Sequence, residues 1–272
     1  MSLLSPNTLA LYVAPDRIQS VRTAGLRRRP VAADQHDASV QADDNWHGLV
    51  AVGTELVRAS QARRLHVVLS DKLARYACVS WRPELRNAQE DLAMAALNFD
   101  DVHGAGASAD WHFGFSTARP GQSRLSIAIP KTLFAQLQDN LGLARCQVAS
   151  IQTAFSATLQ AHRKVLGSSG WLMNLEDGRL TLGCWTKHVW NWVYSVHADI
   201  HSPEDLLQRV RQEIMLAATR SEAASLLQIF VHAPALEHLP FGTLSGVQFI
   251  VLKTPPGEPG VRHAFALLGA RA

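Results

Sequence analysis

Apolar residues alternate from the start of the chain. Thr8-Leu-Ala-Leu-Tyr-Val-Ala14 and Arg17-Ile-Gln-Ser-Val-Arg22 lie either side of Pro15-Asp16, and a Pro-Asp pair between two period-two runs predicts a hairpin. Arg27 to Gln41 carries no apolar period and predicts a loop or an irregular edge. Asp44 can cap a helix in which Trp46, Leu49, Val50, Val52, Leu56 and Val57 recur at helical spacing, ending near Gln61. Leu65 to Leu69 and Arg75 to Trp81 read as strands. From Pro83, the run Glu84 to Phe99 puts Leu85, Ala88, Leu92, Ala95, Ala96 and Phe99 on one helical face, with acidic residues near the entry. Trp111 to Phe115 and Leu125 to Ile129 read as strands, and a helix from Lys131 is expected to stop at Gly142.

The second half repeats the theme. Cys146 to Ile151 predicts a strand and Thr153 to Leu166 a helix. Trp171 to Leu175, Arg179 to Trp185 and His188 to Val196 predict a three-strand meander, with Asp177-Gly178 in its first turn. Ser202-Pro-Glu-Asp205 combines a cap, a first-turn proline and two acids, opening a helix whose stripe is Leu206, Leu207, Val210, Ile214 and Leu216. Leu226 to Val231, Val247 to Leu252 and His263 to Leu268 complete the expected strands.

Composition narrows the function classes. A chain of 272 residues with 47% hydrophobic residues can bury one large core or two modest ones. A net charge of +3 is too small to gather nucleic acid by its overall field. No apolar run approaches the roughly 18 residues of a membrane span, and Met1-Ser-Leu-Leu-Ser-Pro-Asn7 has no basic region leading into an apolar one, so a cytoplasmic location is expected. Cys78, Cys146 and Cys184 are odd in number and lie among apolar residues, as reduced core thiols do. No Walker loop, nucleophile elbow, His-Glu-x-x-His or dinucleotide fingerprint occurs.

Three clusters are candidates for function. Trp185, Trp190, Trp192 and Tyr194 crowd the meander, and plain alternation puts Trp190, Trp192 and Tyr194 on one face. That face is either covered by helices or a protein-interaction surface. Arg27, Arg28 and Arg29 are either a solvated loop or a basic contact patch. His197-Ala-Asp-Ile-His201 has metal-ligating residue types, but it spans a strand-to-helix turn where they need not converge, so no metal is expected.

The order of elements resembles the actin-like ATPase family, most closely its PilM branch from type IV pili, and also the cytoplasmic domain of the type II secretion platform protein GspL. The resemblance spans nearly the whole chain. It rests on Val67-Val-Leu-Ser70 with Trp81-Arg-Pro-Glu-Leu85, on Leu125-Ser-Ile-Ala-Ile-Pro-Lys131, and on Leu172-Met-Asn-Leu-Glu-Asp-Gly-Arg-Leu-Thr-Leu182. It implies an α/β, actin-like (ribonuclease H-like) two-lobed fold with an inserted small α+β lobe. Residues 1–66 would begin lobe I, 67–142 would form the insert, and 143–272 the remainder of lobe I and lobe II.

Nucleotide-binding members of that family hold phosphates and magnesium on two Asp-Ile-Gly-like hairpins, and adenosine at a glycine-rich turn. Here the first hairpin reads Tyr12-Val-Ala-Pro-Asp-Arg17, without Asp-x-Gly. The second has Asn174 at the acidic position, and the adenosine turn falls at Val231-His-Ala-Pro-Ala235, without glycine. Phosphate approach favours glycine, and magnesium needs carboxylate. The expectation is therefore a non-catalytic cytoplasmic scaffold of a pilus or secretion platform with no cofactor. Its partners would be assembly proteins, including the cytoplasmic tail of an inner-membrane protein, or a second copy in a homodimer. A weak ATP-binding ATPase of the same fold and an unrelated α/β enzyme with scattered His and Asp residues stand as alternatives.

Overall fold

The computed structural model describes residues 8–24, 29–41, 45–85, 87–116, 118–143, 146–176, 178–198, 200, 202–218, 228–234, 243–244 and 247–253. They divide between two compact units. One takes in the described residues up to Ala74 and those of Pro130–Arg163, the other the described residues of Arg75–Ile129 and Lys164–Lys253.

The first unit is built on β1 (Thr8–Ala14), β2 (Arg17–Ala24), β3 (Arg29–Ser39), β4 (Arg64–Leu69) and β8 (Gln147–Thr153), in the order β3-β2-β1-β4-β8. The first three form an antiparallel meander, whereas β4 and β8 run parallel to β1. The polar stretch expected to be a loop is thus strand β3. It lies at the sheet edge, where pairing with β2 supplies its backbone bonds and no apolar alternation is required. Arg17 reaches across to Asp37 through two hydrogen bonds.

Helix α1 (His47–Ser60) starts one residue after Trp46, which sits in the left-handed region at φ 63° and gives no side-chain cap. Asp44 lies outside the described residues. Gly53 of α1 faces Leu11 and Ile18 of the sheet, and α3 (Lys131–Leu143) packs on α1 with Leu133 and Leu137 buried. Gly142 does not stop α3. On the opposite sheet face, Ala10, Tyr12, Ala14, Val21 and Val68 pack with Ala154 and Ala157 of α4 (Ala154–His162). Small residues on both sides let this helix lie close to the strands.

The second unit repeats that strand order. Its larger sheet joins β9 (Gly170–Glu176), β10 (Arg179–Thr186), β11 (Val189–His197), β12 (Gln228–His232), β13 (Thr243–Leu244) and β14 (Val247–Val251) as β11-β10-β9-β12-β14-β13. Again an antiparallel meander is followed by two strands parallel to its first member and to each other. Helix α5 (Pro203–Ala218) covers one face, where Leu206 and Val210 meet Trp171, Met173, Leu182, Ile229 and Val231. Ser202 caps it, accepting from the Asp205 amide at 3.1 Å. Leu216 is exposed rather than part of the buried stripe, and Glu213 is buried, bridged to Arg209 at 2.7 Å. The strand expected at His263 to Leu268 lies outside the described residues.

The same unit holds a smaller sheet of β5 (Arg75–Val79), β6 (Trp111–Phe115) and β7 (Arg124–Pro130), in the order β5-β7-β6, with α2 (Ala88–His103) packed on it. Helix α2 begins at Ala88, capped by Asn87, and not at Pro83. Asn87 accepts from the amides of Gln89 and Glu90 at 3.0 Å each and donates to the Glu90 carboxylate at 2.9 Å. This reciprocal cap satisfies the orphan amides that a proline start would have left open.

Candidate functional site

Open α/β sheets bind ligands at the carboxyl ends of their parallel strands. In the first unit these ends are Ala14, Leu69 and Thr153. The chain leaves β1 through the two-residue turn Pro15-Asp16, with Ala14 opposite Arg17. Pro15 has no N–H to offer an anion, and both turn residues carry a Cβ. Past β4 the polar groups are engaged with the backbone. The Ser70 amide donates to the Val13 carbonyl at 2.7 Å, and the Ser70 hydroxyl accepts from the Lys72 amide at 3.1 Å. Asp71, fully buried, accepts from the Phe155 amide at 3.0 Å. Together with Thr153, which accepts from the Ser156 amide at 3.4 Å, it satisfies the first turn of α4.

Asp71 was not singled out from sequence. Its signal, an Asp two residues past a largely apolar strand, is weak.

In the second unit Asn174 of β9 and His232 of β12 face each other in register. Both are buried, and Asn174 Oδ1 and His232 Nδ1 lie 2.7 Å apart in a hydrogen bond. The residue that the resemblance sets at the acidic position is therefore a neutral amide bonded to an imidazole of β12. Gly178, at φ 68°, lies in the turn after β9, whereas Glu176 stands two residues past Asn174, where an Asp-x-Gly hairpin has its glycine; Asp177 and Ala235 lie outside the described residues.

The aromatic cluster is divided by a bulge. Cys184 pairs with Trp192, but Trp185 pairs with Trp190, leaving Asn191 as an extra residue. A bulge inverts the facing of residues on either side of it, so Trp190 lies on the opposite face from Trp192 and Tyr194, which corrects the alternation reading. Trp192 shares the α5 face with Trp171, their ring centroids 5.8 Å apart, and stacks on Tyr194 at 5.6 Å. Tyr194 is the exposed member at 37%. On the other face Trp190 meets Trp185 edge to face at 5.7 Å, and Trp185 stacks on Phe230 at 6.3 Å while donating to the Gly167 carbonyl at 3.0 Å.

Arg29 is the first residue of β3, opposite Ala24, while Arg27 and Arg28 lie outside the described residues. His197 ends β11 at an exposed position, and Asp199 and His201 are likewise outside them. Among the described residues, no three His, Cys, Asp or Glu side chains gather as a metal site. No described helix is long and apolar enough to cross a membrane.

No protein-family model matches the chain, and no curated protein matches it in sequence. Solved structures do. The cytoplasmic domain of EpsL, an inner membrane component of the type II secretion system of Vibrio cholerae, is similar at TM-score 0.59 and 13% identity, over 96% of this chain and 94% of that one. The PilM–PilN type IV pilus biogenesis complex is similar at TM-score 0.63 and 11% identity, over 97% and 99%. A Bacteroides thetaiotaomicron protein with actin-like ATPase fold and unknown function is similar at 0.52 and 11%, over 96% and 95%. Likeness at such identities is likeness of fold, and the fold is that of the actin-like ATPases.

Proposed function

We propose, with the actin-like ATPase fold as premise, that this chain is a non-catalytic cytoplasmic platform protein of a type IV pilus or type II secretion-like system that binds partner proteins. The observation that carries this reading is the buried Asn174–His232 pair. A neutral amide bonded to an imidazole stands where a magnesium carboxylate would be needed, and Pro15 leaves the first hairpin one backbone donor short. Support for the pathway comes from the likeness to the EpsL domain and to the PilM–PilN complex. The partner would be the cytoplasmic tail of an inner-membrane assembly protein, or a second copy, with Tyr194 the most accessible of the four aromatic candidates.

Titration calorimetry of the full chain against synthetic cytoplasmic tails of inner-membrane pilus and secretion proteins from the same genome tests it. Saturable binding of one tail is expected, and silence from all of them would overturn the platform reading. A weak nucleotide-binding role is the second reading, since the chain shares its fold with a protein of actin-like ATPase fold. Thermal titration with ATP and magnesium separates the two. Ligand at about 100 times its Kd adds about 2.7 kcal/mol of stability, so a dose-dependent rise in Tm supports the nucleotide role and a flat curve the scaffold.

A further inference from the structure

Beneath α2 the smaller sheet is floored by residues too small to fill the space. Ala77 of β5 and Ser126 of β7 sit on one rung, Ala128 sits opposite Arg75 on another, and Ala95 descends from the helix. They leave a cavity of about 50 Å³, walled by Phe99 and Phe113. The two rings hold an edge-to-face contact at 5.5 Å, and Phe99 also packs on Trp111 at 5.3 Å, which fixes the walls. A site holding one water needs about 10–15 Å³ on the same measure, so the space takes about three to five heavy atoms.

Hydrogen-bond donors stand at this cavity. Arg75 stands at its mouth with the guanidinium 5.4 Å over the Trp111 ring. Asn98 and the exposed His103 complete the rim from the helix side. Ser126 is 3% exposed, lines the cavity, and makes no side-chain hydrogen bond among the described residues. Its hydroxyl lies at the cavity surface, where a ligand oxygen would give it a hydrogen-bond partner. No Asp or Glu occurs among the described lining residues. Asp100, which follows Phe99 on α2, accepts from the amide of Ser108 at 2.7 Å and its hydroxyl at 3.1 Å. Burial lowers the pKa of Arg75, and the charge of Arg179 lowers it further, so an anion at the mouth would relieve a repulsion already present.

We propose that this cavity is a binding site for a small carboxylate of two or three carbons, its oxygens taken by Arg75 and Ser126 and its methyl or methylene end lying between Phe99, Phe113 and the three alanines. The same chemistry is offered by a free short-chain acid and by the Asp or Glu side chain of a bound protein. A carboxylate hydrogen-bonded to an enclosed guanidinium gains more than its neutral isostere.

The test follows amide signals of the full-length protein by NMR under titration with sodium acetate, propionate, acetamide and N-acetyl-aspartate N-methylamide, at constant ionic strength held with chloride. Acetate is expected to give saturable shifts confined to residues 75–77, 95–103 and 126–128, with acetamide about tenfold weaker or worse. Ser126→Ala, which removes the hydroxyl without adding volume, should weaken acetate about threefold to tenfold. Ser126→Val, which also fills the floor, should abolish the shifts. Response to the free acids alone assigns the site to a small molecule, and an equal or stronger response to the blocked aspartate assigns it to an acidic side chain. No saturable response to either class up to about 100 mM, equal binding of acetamide, or unchanged acetate binding in both variants would each overturn the proposal.

Discussion

Replacing Trp192 by alanine and, separately, Trp190 by alanine tests the bulge at Asn191 directly. The side chains are two residues apart in sequence and chemically identical, and in regular alternation both would meet the α5 core. In the structure only Trp192 does, touching Trp171 and Tyr194, whereas Trp190 touches Trp185 on the opposite face. Truncating a buried Trp costs about 3–5 kcal/mol, and the partial burial of Trp192 puts it at the lower end, about 3 kcal/mol. Trp190 forfeits one edge-to-face contact and a partly exposed ring, about 1 kcal/mol. Trp185 keeps its hydrogen bond to Gly167 and its stacking on Phe230 in that variant. At about 2–4 °C per kcal/mol, the difference of about 2 kcal/mol separates the two Tm values by about 4–8 °C. Denaturant unfolding followed by far-UV circular dichroism avoids the lost fluorophore. The decisive arm is a double-mutant cycle with Trp171→Leu. Coupling of about 0.5–1.5 kcal/mol is expected with Trp192 and none beyond about 0.5 kcal/mol with Trp190. Comparable coupling for both would mean that the two rings share a face, and the bulge reasoning would fail.

Three further outcomes are expected. Asp71→Ala removes the acceptor for the Phe155 amide at the start of α4 and should cost about 1–3 kcal/mol in chemical denaturation, with Asp71→Asn recovering most of it. Lys187 and His188 form the β10–β11 turn at φ 52° and 64°. His188→Gly should therefore raise stability by about 1 kcal/mol, and a neutral or negative effect would count against a strained turn. Burial pushes the Cys78 thiol up to about 12 and that of Cys184 up to about 11, from an ordinary 9.0. Both thiols should resist alkylation at pH 8 in the folded protein. Because the unfolded chain releases these protons first as pH rises, their contribution to stability is whole below pH 9 and is lost on going up through pH 11 to 12, which urea titrations across that window can follow.

The pattern of apolar positions was sufficient to place most strands, because β1, β4, β9 and β10 are buried and their sequences show it. It failed where burial was not the cause of structure. Strand β3 is an edge held by main-chain pairing with β2, so Asp37 and His36 could be polar without penalty. Helix α2 starts where Asn87 and Glu90 cap each other, a signal that was present but masked by the more conspicuous Pro83. The bulge depends on how β11 meets β10 and leaves no mark in Asn191 itself. Asn174 was legible as a departure from an acidic position, but its bond to His232, 58 residues away, was not. Nor could spacing show that Ala77, Ala95, Ser126 and Ala128 leave a common void, since that requires the register of β5 with β7 and the seating of α2.

The two larger sheets share one strand order, and in each the polar side chains at the carboxyl ends of the parallel strands are bonded to the protein itself. Asp71 caps α4 in one, and Asn174 holds His232 in the other. Such internal bonds must be broken before those atoms can take a ligand, and breaking one leaves its buried partner unsatisfied at about 1–3 kcal/mol. A ligand entering there would have to recover that cost first. Ser126 carries no such debt among the described residues, and the guanidinium beside it already faces a second positive charge. Ligand chemistry on this scaffold is therefore favoured beneath α2, in the smaller sheet, over the strand ends that the actin-like topology would nominate.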